Sequence, residues 1–308
     1  MFNYWLWFWC NLGCNFISKL MATKSYNVGS FENPIYLIGN AKNWTLIEGG
    51  ISAQFIEVKQ KLFSIIGDLN HIKHWIILHT HYDHCGLVSY LYSSLSEVKI
   101  YAGEIAITKL NKDKGILVIE NLNNEVIALK EKEETFNKIS KTSFKNIQIN
   151  QLKEKQTLTC GNELSFTVIP TPGHSNCSIS LYEKFSGRLF VSDALGEFFT
   201  PKDWFPLAFD NISNYLNSIS LLSTTNPKSI ALGHSEYIKQ EDVKKAFESS
   251  LTCTNKLIDK IQIQLRSNSK DTIIEKLHEK YIHNSKDFVP KHLHYLSMKR
   301  LVRLIEVY

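Results

Sequence analysis

His79-Thr80-His81-Tyr82-Asp83-His84 packs three imidazoles and one carboxylate into six residues, directly behind the apolar run Trp75 to Leu78. Imidazole nitrogen and carboxylate oxygen are the donors that suit zinc and other divalent metals. Side chains alternate along an extended chain, so His79 and His81 point the same way. A turn after them aims Asp83 and His84 at a second point, and one short loop then serves two metals. The plain alternative is a polar surface loop, but a surface loop has no reason to carry four such groups straight after a buried strand.

Working outward, three more donors stand in similar places. Pro170-Thr171-Pro172-Gly173-His174-Ser175 follows an apolar run ending at Ile169. The prolines restrict the backbone and Gly173 permits close approach, so His174 is held at a strand end. Asp193 follows Leu189 to Val191, and His234 follows Ser229 to Leu232. Singly, each reads as a turn histidine or a helix cap. Together they share the carboxyl ends of expected strands, where α/β proteins build their sites.

The flanking pattern supports an α/β chain. Ile35 to Ile38 and Trp44 to Ile47, separated by Gly39-Asn40, read as a hairpin of edge strands. Phe55, Val58, Leu62 and Ile66 recur at helical spacing. Gly86 to Leu95 reads as a helix and Val98 to Tyr101 as a strand. Residues 115–145 are mostly helical in pattern. Leu164 to Ile169, Ser178 to Tyr182, Leu189 to Val191 and Ser229 to Leu232 read as strands, and Asn211 to Leu222 as a helix. Beyond about residue 240 only helical spacing remains, in three runs. The expected division is an apolar segment at 1–20, a metal-binding domain at 21–240 and a helical region at 241–308.

Composition narrows the function classes. The 308 residues are 44% hydrophobic and 21% charged, ordinary for a globular chain. The net charge of +5 arises from 35 basic and 30 acidic residues scattered without a basic stripe, which argues against a nucleic-acid partner. Cys10, Cys14, Cys85, Cys160, Cys177 and Cys253 form no CxxC pair, which points to reduced thiols and a cytoplasmic setting. Met1 to Ser18 is uncharged and rich in Trp and Phe. A signal or anchor would need a basic start and a longer unbroken apolar run. The expectation is therefore no membrane association, with ordinary sequence starting at Met21.

The order His-x-His-x-Asp-His, Gly-His, Asp, Gly-His resembles the metallo-β-lactamase superfamily, over about residues 34 to 240. The resemblance implies an αββα sandwich with a helical C-terminal extension. It implies two divalent ions, zinc or iron. His79, His81 and His174 would hold one, Asp83, His84 and His234 the other, with Asp193 bridging. It also implies a hydrolase whose nucleophile is a hydroxide held between the metals. Asp83 and Asp193 then read as ligands and orienters rather than free bases.

Three further stretches resemble the quinolone signal response family, thioesterases acting on 2-aminobenzoylacetyl-coenzyme A. They are Trp44 to Ser52, His81 to Leu87 and Asp193 to Phe198, and Asp287 to Pro290 with His294-x-x-Ser297-Met298 extends the likeness. This resemblance implies a thioester substrate and makes a second, regulatory role plausible, with a protein partner or a homo-oligomer. A lactonase, a hydroxyacylglutathione-type thioesterase and a regulatory interaction protein are the rival readings. Glu197 is expected to project into the metal cleft, where it limits the acyl group or orders the attacking water. The other possibility is a helix-starting glutamate facing solvent. His294 and Ser297, three residues apart, share a helix face. That face is expected to cover the site and touch substrate.

Overall fold

Two six-stranded sheets lie face to face in the computed structural model, which describes residues 23–161, 164–200, 202–235, 237–282 and 286–308. The apolar segment at 1–20, with Cys10 and Cys14, lies outside the described residues. The first sheet runs in chain order: β1 (Lys24–Asn27), β2 (Tyr36–Asn40), β3 (Asn43–Ile47), β4 (Ile72–Ile76), β5 (Lys99–Gly103) and β6 (Ile149–Leu152). The first three strands are antiparallel, and the rest join on in parallel. Parallel neighbours need crossovers, and helices supply them. These are α1 (Phe55–Ile66), then α2 (Tyr82–Cys85) and α3 (Val88–Leu91), then α4 (Glu104–Leu110), α5 (Asp113–Leu129) and α6 (Glu133–Phe136).

The second sheet contains β7 (Thr157–Thr159), β8 (Ser165–Pro170), β9 (Ile179–Glu183) and β10 (Arg188–Ser192). A separate ribbon follows, β11 (Glu197–Thr200) with β12 (Asp203–Phe205), and then α7 (Ile212–Ser223). β13 (Ser229–Leu232) returns parallel to β10, and β14 (Tyr237–Ile238) closes the edge. Three helices end the chain: α8 (Gln240–Leu265), α9 (Lys270–Ile282) and α10 (Lys291–Glu306).

Alternation along the strands decides which residue faces which layer. Tyr36 and Ile38 of β2, Phe166 and Val168 of β8 and Phe190 of β10 meet between the sheets. Leu37 of β2 and Leu46 of β3 face outward, against α1, α2 and α5. Leu189 and Val191 of β10 face outward too, against α7 and the C-terminal helices. The result is the αββα sandwich, with three apolar layers instead of one. Strands buried on both faces read as continuous apolar runs, which is why the central ones were visible in the sequence.

Several expectations need correction. The hairpin β2–β3 is not an edge pair, because β1 covers β2. β1 is Lys-Ser-Tyr-Asn, a polar strand without an apolar signal. The helix expected over Gly86 to Leu95 starts inside the histidine motif, at Tyr82, and breaks after Cys85. Glu197 lies on β11, so it is not a helix-starting residue. β6, β7 and β12 were also missed, being short and partly exposed.

The C-terminal helices pack on the outer side of the second sheet through Val243, Phe247, Ile261, Leu301 and Val302. Phe288, between α9 and α10, belongs instead to the apolar layer outside the first sheet. The C-terminal chain therefore reaches across the open edge of the sandwich. Among the described residues, no helix is long and apolar enough to cross a membrane.

Gly173 pins the two layers beside that edge. Its φ is +128°, and an added Cβ would lie 2.3 Å from the Tyr215 backbone at the start of α7. Its carbonyl accepts from the amides of Asp210 and Asn211 at 2.9 and 3.1 Å. Gly173→Ala should cost about 2 kcal/mol or more, from a strained φ and a clash with backbone. Urea unfolding checks this, and an unshifted midpoint would show that α7 yields at no cost.

Candidate metal centre

The donors converge because the two sheets are stitched together at one end. Just beyond β4, the Leu78 carbonyl accepts from the Ile179 amide of β9 at 3.0 Å. The Tyr36 hydroxyl donates to the Leu232 carbonyl at 2.8 Å, at the end of β13. His79 and His81 leave the first sheet at this seam. His174, Asp193 and His234 leave the second after β8, β10 and β13. Asp83 and His84 ride on α2, whose single turn swings them back over the seam.

All seven sequence-derived donors are brought together, in two groups. Ligand atoms of His79, His81, His174 and Asp193 lie within 4.8 Å of one another, as do those of Asp83, His84 and His234. In the first group His174 Nε2 is 2.8 Å from His81 Nδ1 and 3.1 Å from Asp193 Oδ2. In the second, His84 Nε2 is 3.2 Å from His234 Nε2, and Asp83 Oδ2 is 3.6 Å from each. Asp193 faces both groups, with its oxygens 3.4 Å from His84 Nε2 and 3.5 Å from His234 Nε2.

The outer ring nitrogens explain how the inner ones are aimed. His174 Nδ1 donates to the Leu207 carbonyl at 2.7 Å, and His234 Nδ1 to the Glu32 carbonyl at 3.0 Å. A carbonyl only accepts, so each Nδ1 carries a proton and each Nε2 is turned inward. His79 Nδ1 lies 3.1 Å from Ser192 Oγ, and His84 Nδ1 lies 3.2 Å from Glu48 Oε2. Fixing the outer nitrogen in this way is the usual support of a metal-ligating histidine.

These residues fit a divalent cation on the structure's own terms. His79 Nε2 is buried without any hydrogen-bond partner, turned toward the cluster. His174 presents a lone pair to His81 Nδ1 and to a carboxylate, an arrangement that a shared cation relieves. The carboxylates demand positive charge here. Burial alone would raise the Asp193 carboxyl, but His84, His234 and His174 hold it well below the usual range. Burial likewise works against protonation of His234, yet Asp193 outweighs it and lifts that imidazole to about 9. His79 is held down by burial and then by the His84 and His81 rings. A cation meets the same demand while leaving the imidazoles as ligands.

Glu48 is the residue that sequence reasoning missed. It is buried, sits at φ +76°, and faces His84 and His79 from behind. Ser192 is similar, at φ +50° beside Asp193. Neither conformation suits a residue with a side chain, and each costs about 1–3 kcal/mol unless its surroundings enforce it. For Glu48 they do. Its amide donates to the Ile76 carbonyl at 3.1 Å, and Trp75 Nε1 donates to its carbonyl at 2.8 Å. The available signal was a carboxylate closing a buried strand, just before Gly49-Gly50.

A cavity of about 450 Å³ opens over the cluster. Phe199, Phe205, Leu207, Phe209, Leu122 and Leu293 supply apolar wall. Glu197, His294 and Ser297 line it, but each is engaged within the chain. Glu197 Oε1 is 3.2 Å from Lys286 Nζ, so a lysine, and no metal ligand, answers its charge. His294 Nδ1 is 2.8 Å from His278 Nδ1, and burial followed by that neighbour lowers His294 to about 4. Ser297 Oγ donates to the Leu293 carbonyl.

Residues 29–234, carrying the whole donor set, match the family model of the metallo-β-lactamase superfamily. The chain belongs to this superfamily. Over 214 residues it is 24% identical to the uncharacterised protein YobT of Bacillus subtilis strain 168, covering 66% of this chain and 83% of YobT. A metallo-β-lactamase family protein of Thermus thermophilus aligns with a TM-score of 0.62 at 17% identity, over 92% of this chain and 93% of that one. A structure of the chemotaxis sensor ODP, described as a peroxy diiron species, aligns with a TM-score of 0.54 at 15% identity, over 74% and 90%. At such identities the likeness shows the metallo-β-lactamase fold and leaves function to the site.

Within this fold, Glu48→Gln should loosen metal about ten- to a hundredfold, as loss of a ligand's supporting partner does. Competition with a coloured chelator measures it. Metal retention equal to the parent would make Glu48 a structural residue only.

Proposed function

We propose that this superfamily member is a dinuclear metal-dependent hydrolase that cleaves a thioester. The observation that carries it is the sharing of Asp193 between two donor groups at the floor of one cavity. His79, His81 and His174 are assigned to one ion, Asp83, His84 and His234 to the other, with Asp193 between them. When bound, such ions acidify a water to a pKa near about 7 and polarise the carbonyl that it attacks.

The chain's own residues do the rest. Glu48, Ser192 and the carbonyls of Leu207 and Glu32 hold the imidazoles in one orientation, so no reorganisation is needed at the moment of reaction. Asp83 acts as a ligand and orienter, since it shares its position with His84 and His234. The cavity walls exclude water and hold the acyl group against the metals.

Two side chains expected to handle protons are engaged, which favours a leaving group that needs no proton. Among the described residues the expected acid–base side chains are occupied: Glu197 by Lys286 and His294 by His278. An alkoxide leaving group needs a proton donor. A thiolate does not, because thiol pKa values lie near about 8.5. The aromatic walls suit an acyl group such as the 2-aminobenzoylacetyl moiety that the closer resemblance implies. Glu197, His294 and Ser297 are assigned to substrate contact on their place in the wall. Zinc and iron both suit imidazole and carboxylate ligands.

Elemental analysis should find about two transition-metal ions per chain, the complement of a two-metal site. A stable content near zero after reconstitution would end the metal reading. The metal-loaded protein should release free thiol from aromatic acyl-coenzyme A esters, and chelation should stop it. His174→Ala should lower that rate on the order of a hundredfold or more, since a ligand is lost. Two bound metals with faster cleavage of lactones than of thioesters would keep the hydrolase and remove the thioesterase.

A further inference from the structure

Among the described residues three lysine and arginine side chains line the cleft; one is paired with a carboxylate and one, Arg300, is exposed to solvent. Lys286 faces Glu197 at 3.2 Å. Arg300 donates through Nε to the Phe209 carbonyl. The third is Lys109, at the C-terminal end of α4, half-buried in the cavity wall. The only hydrogen bond of its side chain among the described residues goes to a thiol, Cys177 Sγ, at 3.6 Å. A thiol is a weak acceptor, and an ammonium group has three donors. No described carboxylate is paired with Lys109, although lysines elsewhere on this chain find Glu or Asp repeatedly.

Its position gives this unpaired charge a purpose. Cys177 Sγ also lies 3.4 Å from Thr80 Oγ1 and 3.3 Å from Ser175 Oγ. Thr80 stands between His79 and His81, and Ser175 follows His174. Lys109 is thereby placed beside the three histidines of one donor group, on the cavity side. The hydroxyls near it are turned elsewhere, since Ser175 Oγ already meets Ser178 Oγ at 2.8 Å. The wall formed by Phe199, Phe205 and Leu293 offers nothing polar to a charged ligand. An ammonium group in a partly desolvated wall, without a counter-charge, is an electrostatic cost that a bound anion offsets.

The geometry points to Lys109 as an anion-binding residue of the substrate cleft, taking an anionic oxygen of the substrate beside the His79–His81–His174 group. The substrate of the hydrolase then carries a negative charge that reaches this wall of the cleft. That charge is either a carboxylate on the acyl part or a phosphate on the leaving group. The inference rests on the hydrolase reading for its setting, but its test reads binding and needs no turnover.

Calorimetric titration of the metal-loaded protein with two matched pairs tests it: glutarate against pentanoate, and adenosine 3′,5′-bisphosphate against adenosine. Metals at the cleft floor contribute to both members of the carboxylate pair, so the difference within that pair isolates the extra anion; in the nucleotide pair the comparison of parent with Lys109→Met isolates it. The parent should bind the more charged member of one pair in preference. Lys109→Met should reduce that preference about tenfold, the worth of one charge-assisted hydrogen bond at about 1.4 kcal/mol. Lys109→Arg should restore most of it, and metal content should stay that of the parent in both variants. A changed preference in the first pair assigns the anion to the acyl part, and in the second to the leaving group. The inference falls if the parent shows no preference in either pair. It also falls if Lys109→Met leaves both preferences intact, or weakens charged and less charged members equally. Absence of thiol release with the expected binding pattern would fault the thioesterase reading and leave the anion site standing.

Discussion

Asp193 is the charge on which the arrangement turns. It is buried, and a lone buried carboxylate is among the most costly groups a protein can hold. His84, His174 and His234 lie within 3.5 Å of its oxygens, and His79 slightly farther away. Their positions are only useful if their inner nitrogens face it. The outer nitrogens therefore need partners of their own, and the chain supplies two backbone carbonyls, a serine and a glutamate. That set of partners accounts for otherwise awkward features. Glu48 and Ser192 accept positive φ because their side chains must reach His84 and His79 from behind. Gly233 stands where a Cβ would lie 2.4 Å from Asp193 Oδ1, so the loop carrying His234 can approach only without a side chain.

The seam between the sheets makes this possible. Two hydrogen bonds, Ile179 to Leu78 and Tyr36 to Leu232, tie one sheet to the other within a few residues of His79, His174 and His234. Donors from four separate segments then inherit the rigidity of the two sheets. Strain at Glu48 and Ser192 is borne by packed sheet, where the Trp75 indole and the Ile76 carbonyl hold the backbone. A site placed on free loops would relax such conformations and lose its aim.

What the sequence revealed, and what it hid, follows the same physics. His79 to His84 was legible because one loop concentrates four donors behind a buried strand. His174, Asp193 and His234 were legible only as a set, through their common place after apolar runs. Strands buried on both faces announced themselves, whereas β1, with Lys24, Ser25 and Asn27, did not. Glu48 stayed hidden because its role depends on a backbone conformation that no residue type discloses. The Glu197 to Lys286 pair was hidden for another reason. Its partners are far apart in the chain, and only the packing of the ribbon β11–β12 under the C-terminal region brings them together. Lys109 is a third case: its meaning lies in having no carboxylate partner among the described residues.

The C-terminal helices change the character of the site from a groove to a bounded cavity. The Tyr82 hydroxyl, within the histidine motif, donates to the Phe288 carbonyl at 3.0 Å, and the Phe288 ring stacks 5.9 Å from that of His234. One residue between α9 and α10 thus touches both a donor-bearing loop and the helix turn that carries Asp83. Val118 on α5 and Leu296 on α10 line the cavity and are half-exposed. An entering molecule meets apolar wall beside the Glu197–Lys286 pair, with Lys109 and the donor cluster below. Electrostatic interactions strengthen as water is excluded, so charge at the floor of an apolar cavity acts more strongly than the same charge in an open groove. An apolar wall and a cation beside the donor cluster are therefore parts of one device. The first lowers the effective dielectric, and the second has its effect only because that dielectric is low.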